Sequence, residues 1–143
     1  MADDHINHNV INFCYQKFQE GYQVICPSRF IKGGKMIGNP FLKALLTKLV
    51  SFFLFNLTSF PIKDPTNSFR LFPKELIDKV KIESNKGFTL SLELTAKAHR
   101  LGYKIVEIPT TWMERDKGKS RFKLVSFILP YTKWFFYIIK TSI

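Results

Sequence analysis

The 143-residue sequence is poor in cysteine and histidine, with 2 and 3 of each. Cys14 and Cys26 lack metal-site spacing and a nearby partner, which excludes a disulfide-stapled secreted miniprotein and predicts reduced thiols. Acidic residues are also scarce, because 11 Asp and Glu stand against 22 Lys and Arg, a formal net charge of +11. This imbalance predicts an anionic partner: nucleic acid, a phosphorylated substrate or an anionic lipid surface.

Motifs that would identify a nucleic-acid partner or a familiar enzyme are missing. The sequence contains no zinc finger, RNP-type aromatic motif, Walker loop, dinucleotide fingerprint or Ser/His/Asp set, so direct nucleic-acid binding is not expected. Hydrophobic residues make up 45% and aromatic residues 15% of the chain. This composition excludes a disordered chain, and the length supports one domain with a modest core.

The densest basic segment, residues 114–123, directly precedes an apolar and aromatic one. Such a pair is typical of a membrane-surface anchor, in which Trp134, Phe135 and Tyr137 would occupy the lipid headgroup level. Pro130 and Lys133 interrupt the apolar run, so we expect it to lie in the membrane interface without spanning it.

Hydrophobic spacing predicts an α/β fold. Helices are expected from Ile6 to Phe18 (ended by Gly21), over 41–57, from Pro73 to near Val80, and from Leu90 to Leu101. Two short strands, 22–26 and 104–108, are each followed by a proline that is expected to close them. Since two strands make an incomplete sheet, we expect further strands upstream of this chain.

Three segments concentrate groups that bind anions or metals. Asp3 and Asp4 together suit a hard divalent cation, although helix capping is the more common role of such residues. The loop of Ser28-Arg29 with Gly33-Gly34 suits phosphate, or is an ordinary turn. The third set suits a phosphate or pyrophosphate group, or is a solvated basic loop; it comprises Arg70, Arg115, Lys119 and Arg121.

Six motifs occur in one order over nearly the whole chain. They are Met-Ala-Asp-Asp at 1–4, Ser-Arg-Phe-Ile-Lys-Gly-Gly at 28–34, Asp-Pro-Thr-Asn-Ser-Phe-Arg at 64–70, Gly87-Phe88 with Glu93-Leu94, Gly-Tyr-Lys-Ile through Glu-Ile-Pro at 102–109, and Arg115 with Gly-Lys-Ser-Arg at 118–121. In this order the chain resembles glycosyltransferase family 2 of the GT-A fold. The most similar branch is the polyprenyl-phosphate sugar transferases, which are dolichyl-phosphate mannosyltransferase-like.

The resemblance implies roles for individual residues. Asp3 matches the metal-holding aspartate for Mg²⁺ or Mn²⁺, with Asp4 beside it, while Met1 replaces the family's other aspartate. Glu93 matches a carboxylate near the acceptor; a helix-surface pair with Lys97 is the alternative. The residues that match phosphate-binding positions are Arg29, Arg70, Arg115, Lys119 and Arg121.

At the level of the whole protein, the resemblance implies a partial, Rossmann-like GT-A domain over 1–123, with amphipathic membrane-facing helices, and an aromatic membrane-associated tail over 124–143. The nucleotide-binding N-terminal half of the enzyme would be missing. The parent enzyme would be inverting and metal-dependent, and it would act peripherally at the cytoplasmic membrane face. Its partners would be a nucleotide-sugar donor and a polyprenyl-phosphate acceptor, and we expect the chain alone to be inactive.

Two alternatives stay open. A family-2 enzyme that glycosylates a sugar acceptor would need a carboxylate base, for which Glu93 is the candidate. A non-catalytic membrane-surface module would use only the basic segment and the aromatic tail.

Overall fold

The computed structural model describes residues 8–38, 41–85, 87–113 and 124–142. Its helices are α1 (His8–Gln19), α2 (Phe41–Leu57), α3 (Lys74–Lys79), α4 (Gly87–Arg100) and α5 (Leu124–Ser142). Its strands are β1 (Val24–Ser28), β2 (Lys35–Ile37), β3 (Ile105–Pro109) and β4 (Thr111–Met113). The predicted α/β class is confirmed, and the predicted helix over 41–57 has the same bounds as α2.

The strands run further than the sequence predicted. Pro27 does not close β1, which continues to Ser28, and Pro109 is the last residue of β3. Proline removes only one backbone donor, and the carbonyl of Pro27 accepts a hydrogen bond of 2.8 Å from Asn67 Nδ2. Strands β2 and β4 were missed because three residues are too few to show an alternating pattern.

Strand β1 forms hydrogen bonds along both of its edges. It pairs in parallel with β3, with Val24 opposite Ile105 and Ser28 opposite Pro109, and an antiparallel bridge joins Ile25 to Leu71. β2 and β4 form a second parallel pair. The parallel pairing of β1 with β3 is possible because α2, α3 and α4 lie in the crossover between them.

The two faces of β1 pack into two hydrophobic clusters. On one face, Val24 and Cys26 join residues of α4 and α5 in the larger cluster. On the other face, Ile25 packs with Val10 and Cys14 of α1. Alternate side chains of a strand point to opposite faces, so helices cover both faces of this strand, as expected for a parallel sheet.

Trp134 belongs to the core, so the predicted interfacial role of this residue is wrong. Its side chain is 2% exposed, its indole N–H donates to Ser84 Oγ at 3.1 Å, and the Nζ atoms of Lys97 and Lys133 lie 5.1 Å from the ring. Trp134 shares its helical face with Ile138, and that face packs in the larger cluster.

Candidate functional site

The residue after β1 forms a buried ion pair. Arg29 donates from Nε to Asp64 Oδ2 and from Nη2 to Asp64 Oδ1, both at 2.7 Å. The backbone N–H of Arg29 also donates to Asp64 Oδ2 at 2.9 Å, and Nη2 reaches Thr66 Oγ1 at 2.7 Å. The side chains of Arg29 and Asp64 are 9% and 0% exposed. This two-bond geometry fixes the loop of residues 64–70 against the carboxyl end of β1.

Arg70 contacts the same aspartate from its other side. Its Nη2 donates to the backbone carbonyl of Asp64 at 2.8 Å, and its Nη1 donates to Ser91 O at 3.0 Å and to Thr95 Oγ1 at 2.5 Å. Its Nε is buried and has no hydrogen-bond partner among the described residues. The structure therefore brings Arg29 and Arg70 together around Asp64, in a group that we call the Asp64 cluster.

Asn67 and Ser68 complete the same loop. Asn67 Oδ1 accepts from the backbone N–H of Phe69 at 3.1 Å, a local turn of the kind that asparagine side chains form. Ser91 Oγ of α4 donates to Ser68 O at 2.9 Å. The loop is thus attached to both β1 and α4.

Gly34 lets the loop after β1 fold back on itself. A Cβ atom at this position would lie 2.5 Å from Ser28 O and 2.7 Å from the backbone carbonyl of Arg29. Its N–H donates to Ile31 O at 2.9 Å. Gly34 therefore closes a tight turn after Arg29, and the phosphate-binding role of this loop stays a prediction.

Glu107 is a half-buried carboxylate for which the sequence predicted no role in the site. It lies on β3 opposite Cys26, and its Oε1 accepts from the backbone N–H of Asp64 at 3.1 Å. Burial raises the pKa of Glu107; the Asp64 charge adds to this, and hydrogen bonds from Lys63 and Ser28 oppose it. The one feature of the sequence that could have pointed to Glu107 is its position as a single acidic residue within the apolar strand Ile-Val-Glu-Ile-Pro.

Helix α5 adds a phenol to this environment. Burial raises the pKa of Tyr131, and the charges of Arg70 and Arg29 partly oppose the shift. Cys26, under the cluster, is buried as well, and its burial raises the pKa of the thiol to about 11. Both groups are therefore neutral at physiological pH, and the charges of the cluster come from its arginines and carboxylates.

Glu93 lies elsewhere on α4, in a pocket of its own. Its carboxylate accepts from the backbone N–H groups of Glu83 and Ser84 at 2.8 and 2.7 Å, and from Lys97 Nζ at 2.6 Å. Burial opposes ionisation, but these hydrogen bonds outweigh it and hold the pKa of Glu93 below its ordinary value. The alternative pairing with Lys97 is present, and it is buried instead of lying on the helix surface.

The remaining predicted site residues lie outside the described part of the chain: Asp3, Asp4, Arg115, Lys119 and Arg121. Their roles stay predictions. Within the ranges that the structure describes, no three histidine, cysteine or acidic side chains come together as a possible metal site.

Helix α2 exposes apolar side chains around most of its circumference. Phe41 is 81% exposed, Leu42 and Phe52 more than half exposed, while Ser51 and Leu54 are buried. Between α2 and α5 lies an apolar cleft of about 230 Å³, whose lining includes Phe53, Leu57, Phe135 and Ile139. In the described part of the chain, no helix has both the length and the apolar character needed to cross a membrane.

Comparison with known proteins gives a consistent set of relatives, although no protein-family model matches the chain. The chain is 28% identical over 103 residues to a polyprenol monophosphomannose synthase of Mycolicibacterium smegmatis, covering 71% of this chain and 39% of that protein. It is 26% identical over 100 residues to an undecaprenyl-phosphate mannosyltransferase of Micrococcus luteus, covering 68% and 41%.

A third relative extends the match. The chain is 30% identical over 118 residues to a dolichol-phosphate mannosyltransferase of Pyrococcus furiosus, covering 80% of this chain and 32% of that protein. The aligned parts thus span between 32% and 41% of the lengths of these relatives. Over most of its length the chain is therefore similar to polyprenyl-phosphate mannosyltransferases, the branch that the ordered motifs predicted.

Proposed function

We propose that the chain is the C-terminal, acceptor-binding part of a glycosyltransferase. The parent enzyme would move a sugar from a nucleotide-diphosphate donor to polyprenyl phosphate at the cytoplasmic face of the membrane. The observation that carries this proposal is the similarity to three polyprenyl-phosphate mannosyltransferases over 68% to 80% of the chain. Because their names specify mannose, mannose is the first sugar to test.

The Asp64 cluster supports this function through its position. It lies at the carboxyl end of β1, and ligands of open α/β sheets bind beyond the carboxyl ends of strands. The acceptor is already an anion, so sugar transfer to it requires positioning and electrostatic stabilisation more than a general base. We propose that Arg29 and Arg70, whose guanidinium groups are hydrogen-bonded within the cluster, position this loop beside the acceptor phosphate, and that Arg115, Lys119 and Arg121 of the basic loop contribute the positive charge.

The metal requirement is a further part of the proposal. Asp3 would hold Mg²⁺ or Mn²⁺, with Asp4 beside it, and the cation would neutralise the departing nucleotide diphosphate as a Lewis acid. A nucleotide-binding half upstream of the chain would supply the remaining donor contacts. Exposed apolar side chains of α2 support peripheral membrane association, which would keep the site near the lipid acceptor.

The test is to restore the missing half. The N-terminal region of the M. smegmatis relative is fused to this chain, and transfer of labelled mannose from its nucleotide diphosphate to polyprenyl phosphate is measured. We expect transfer by the fusion and none by the 143-residue chain alone. In the fusion, Asp3→Asn should weaken metal-dependent donor binding far more than the matched Asp4→Asn.

Three outcomes would contradict parts of this proposal. Sugar transfer by the chain alone would contradict the proposal that a nucleotide-binding half is needed. A folded fusion that transfers no sugar would contradict the proposed transferase activity. Equal losses for the two aspartate variants would refute the assignment of the metal to Asp3. Vesicle binding without any nucleotide or metal dependence, together with an inactive fusion, would favour the non-catalytic membrane module.

The second enzymatic alternative, with Glu93 as base for a sugar acceptor, has less support. The three hydrogen bonds to its carboxylate come from the protein itself, and its side chain is 0% exposed. A general base must reach the proton that it removes.

A further inference from the structure

A basic cleft of about 440 Å³ lies between the C-terminal ends of α4 and α5. Its lining residues are Arg100, Tyr137, Lys140 and Thr141. Arg100 follows Ser91, the contact of Arg70, by nine residues along α4, which corresponds to roughly 13 Å at the rise of an α-helix. The cleft is therefore distinct from the Asp64 cluster.

The guanidinium of Arg100 is held in place by α5. Its Nη1 donates to Tyr137 Oη at 3.2 Å, and its Cζ lies 5.7 Å from the centre of the Tyr137 ring. Tyr137 in turn packs edge-to-face on the buried Trp134, with ring centres 5.5 Å apart. An oriented guanidinium loses less conformational freedom when it binds a phosphate oxygen than a mobile cation does.

The charge of the cleft is one-sided. Of the described residues that line it, two are cations and none is a carboxylate. Thr141 Oγ1 donates to the backbone carbonyl of Tyr137 at 2.9 Å, so the positive character of the cleft comes from the two cations. Two cations on one wall of an open cleft match the charge of a phosphate group.

The neighbouring face of α5 identifies the source of that phosphate. Leu129 and Phe136 are 78% and 71% exposed, and they share one face of the helix with Lys140 at spacings of seven and four residues. Lys133 lies on the same face, but its Nζ is paired with Glu83 Oε2 at 2.6 Å. Lys140 therefore borders both this face and the cleft. Exposed apolar side chains beside cations fit an anionic lipid surface, whereas a soluble anion would leave the apolar side chains in water.

We propose that the cleft binds the headgroup phosphate of an anionic phospholipid, while Leu129 and Phe136 contact its acyl region. This lipid is a docking partner separate from the polyprenyl-phosphate acceptor. The site does not depend on the proposed sugar transfer, because it uses none of the residues assigned to that reaction.

The test measures binding of the full chain to vesicles of phosphatidylcholine mixed with phosphatidylglycerol. Lys79→Gln on α3 removes the same charge outside the cleft and should weaken binding about fivefold or less, as expected for one cation near an anionic surface. Arg100→Gln should weaken binding roughly tenfold or more, because it also removes an oriented phosphate contact. Arg100→Lys, which keeps the charge but lacks the planar fork, should fall between them.

A parallel arm distinguishes the lipid from a free anion. Glycerol 3-phosphate is titrated against the chain while the fluorescence of Trp134, next to Tyr137, is followed; we expect no saturation at concentrations where vesicles bind. Saturation by the soluble anion, with vesicle binding unchanged in Arg100→Gln, would overturn the lipid assignment. If Arg100→Gln and Lys79→Gln weaken vesicle binding equally, the proposal of a phosphate site in the cleft is wrong.

Folding is monitored by thermal unfolding, because Arg100 also links α4 to α5. If Arg100→Gln unfolds, Lys140→Gln decides the question, since the exposed Lys140 lies on the rim of the cleft. Lys140→Gln should weaken vesicle binding more than Lys79→Gln does; an equal effect of the two variants would overturn the proposal.

Discussion

Asp64 is the residue on which both described arginines of the candidate site converge. Its carboxylate binds Arg29 through two parallel hydrogen bonds, and its carbonyl binds Arg70. Because the Asp64 side chain is 0% exposed, its charge depends on these internal partners instead of on water. Removing one partner of such a pair leaves a buried uncompensated charge.

Replacement of Arg29 by Gln should therefore destabilise the chain at neutral pH. We expect the free energy of unfolding to fall by about 3–5 kcal/mol, the range for breaking a buried pair from one side. The measurement is urea unfolding followed by circular dichroism. The Arg29→Gln/Asp64→Asn double variant should recover part of the loss, because both charges are then gone.

Lys74→Gln is the matched control, because Lys74 forms an exposed pair with Asp78 on α3. It should change stability little, since exposed pairs contribute little. An Arg29→Gln variant as stable as this control would mean that the Arg29–Asp64 pair is open to solvent, against the burial described above.

At the scale of elements, helix α4 is held by polar contacts at two places. Near its start, Ser91 and Thr95 contact Arg70 and Ser68. On the opposite side of the same turn, Glu93 accepts from the backbone of residues 83–84. The helix thus connects the loop of the Asp64 cluster to the segment that contacts Trp134 of α5.

Glu93→Gln should destabilise the chain in a pH-dependent way. The folded pKa of Glu93 lies below its unfolded value, so its contribution is complete above the unfolded pKa of about 4.3 and is lost as pH falls through the folded pKa. We expect a loss of about 1.5–3 kcal/mol at pH 7, the usual range for a hydrogen bond to a charged group. The difference between wild type and variant should shrink on acidification.

Urea unfolding across pH 3 to 7 checks this, with Glu75→Gln on the exposed surface of α3 as the control variant. Unchanged stability of Glu93→Gln at pH 7, with a fusion enzyme that loses turnover, would contradict the structural role and favour the acceptor-base alternative.

At the scale of the whole molecule, apolar side chains are exposed on both sides of the sheet, but most strongly on α2 and α5: Phe41, Leu129 and Phe136 are more than 70% exposed, against 61% or less for the apolar side chains of α1. Leu54 of α2 and Ile138 of α5 pack on the face that carries Val24 and Cys26, whereas α1 packs on the face of Ile25. Phe41 and Phe136 are strongly exposed. Since α2 and α5 belong to one side of the sheet, that side is expected to meet the membrane.

A Phe41→Ser/Phe136→Ser variant should therefore bind anionic vesicles less tightly, by about tenfold, because two rings no longer leave water on binding. Vesicle co-sedimentation over a salt series measures the effect. Added salt should weaken but not abolish wild-type binding, because salt screens charges and not apolar contacts. The matched control, Phe13→Ser, removes an exposed ring of α1 on the other face of the sheet.

An equal loss in the control variant would contradict a membrane-facing side. A loss only in a Trp134→Ala variant would restore the interfacial role first predicted for Trp134, provided that this variant stays folded. Its burial against Lys97 and Lys133 leads us to expect that Trp134→Ala lowers stability by about 3–5 kcal/mol instead.

Local patterns in the sequence determined helices α1 to α4, the α/β class and the similarity to polyprenyl-phosphate sugar transferases. Helical spacing is a property of neighbouring residues, so the bounds of α2 could be predicted. For the same reason, Gly21 could be predicted to lie just after the end of α1, which is Gln19. Ordered motifs likewise need no three-dimensional information, and they singled out Arg29 and Arg70.

Only the tertiary structure decided what those side chains contact. The partner of Arg29 is 35 residues away in the chain, Glu107 approaches Asp64 from a strand 43 residues further on, and Trp134 meets Ser84 across 50 residues. The same side chain, whether arginine, glutamate or tryptophan, suits a solvent-exposed site or a buried one. Burial and pairing depend on which distant segments pack together, and local spacing does not carry that information.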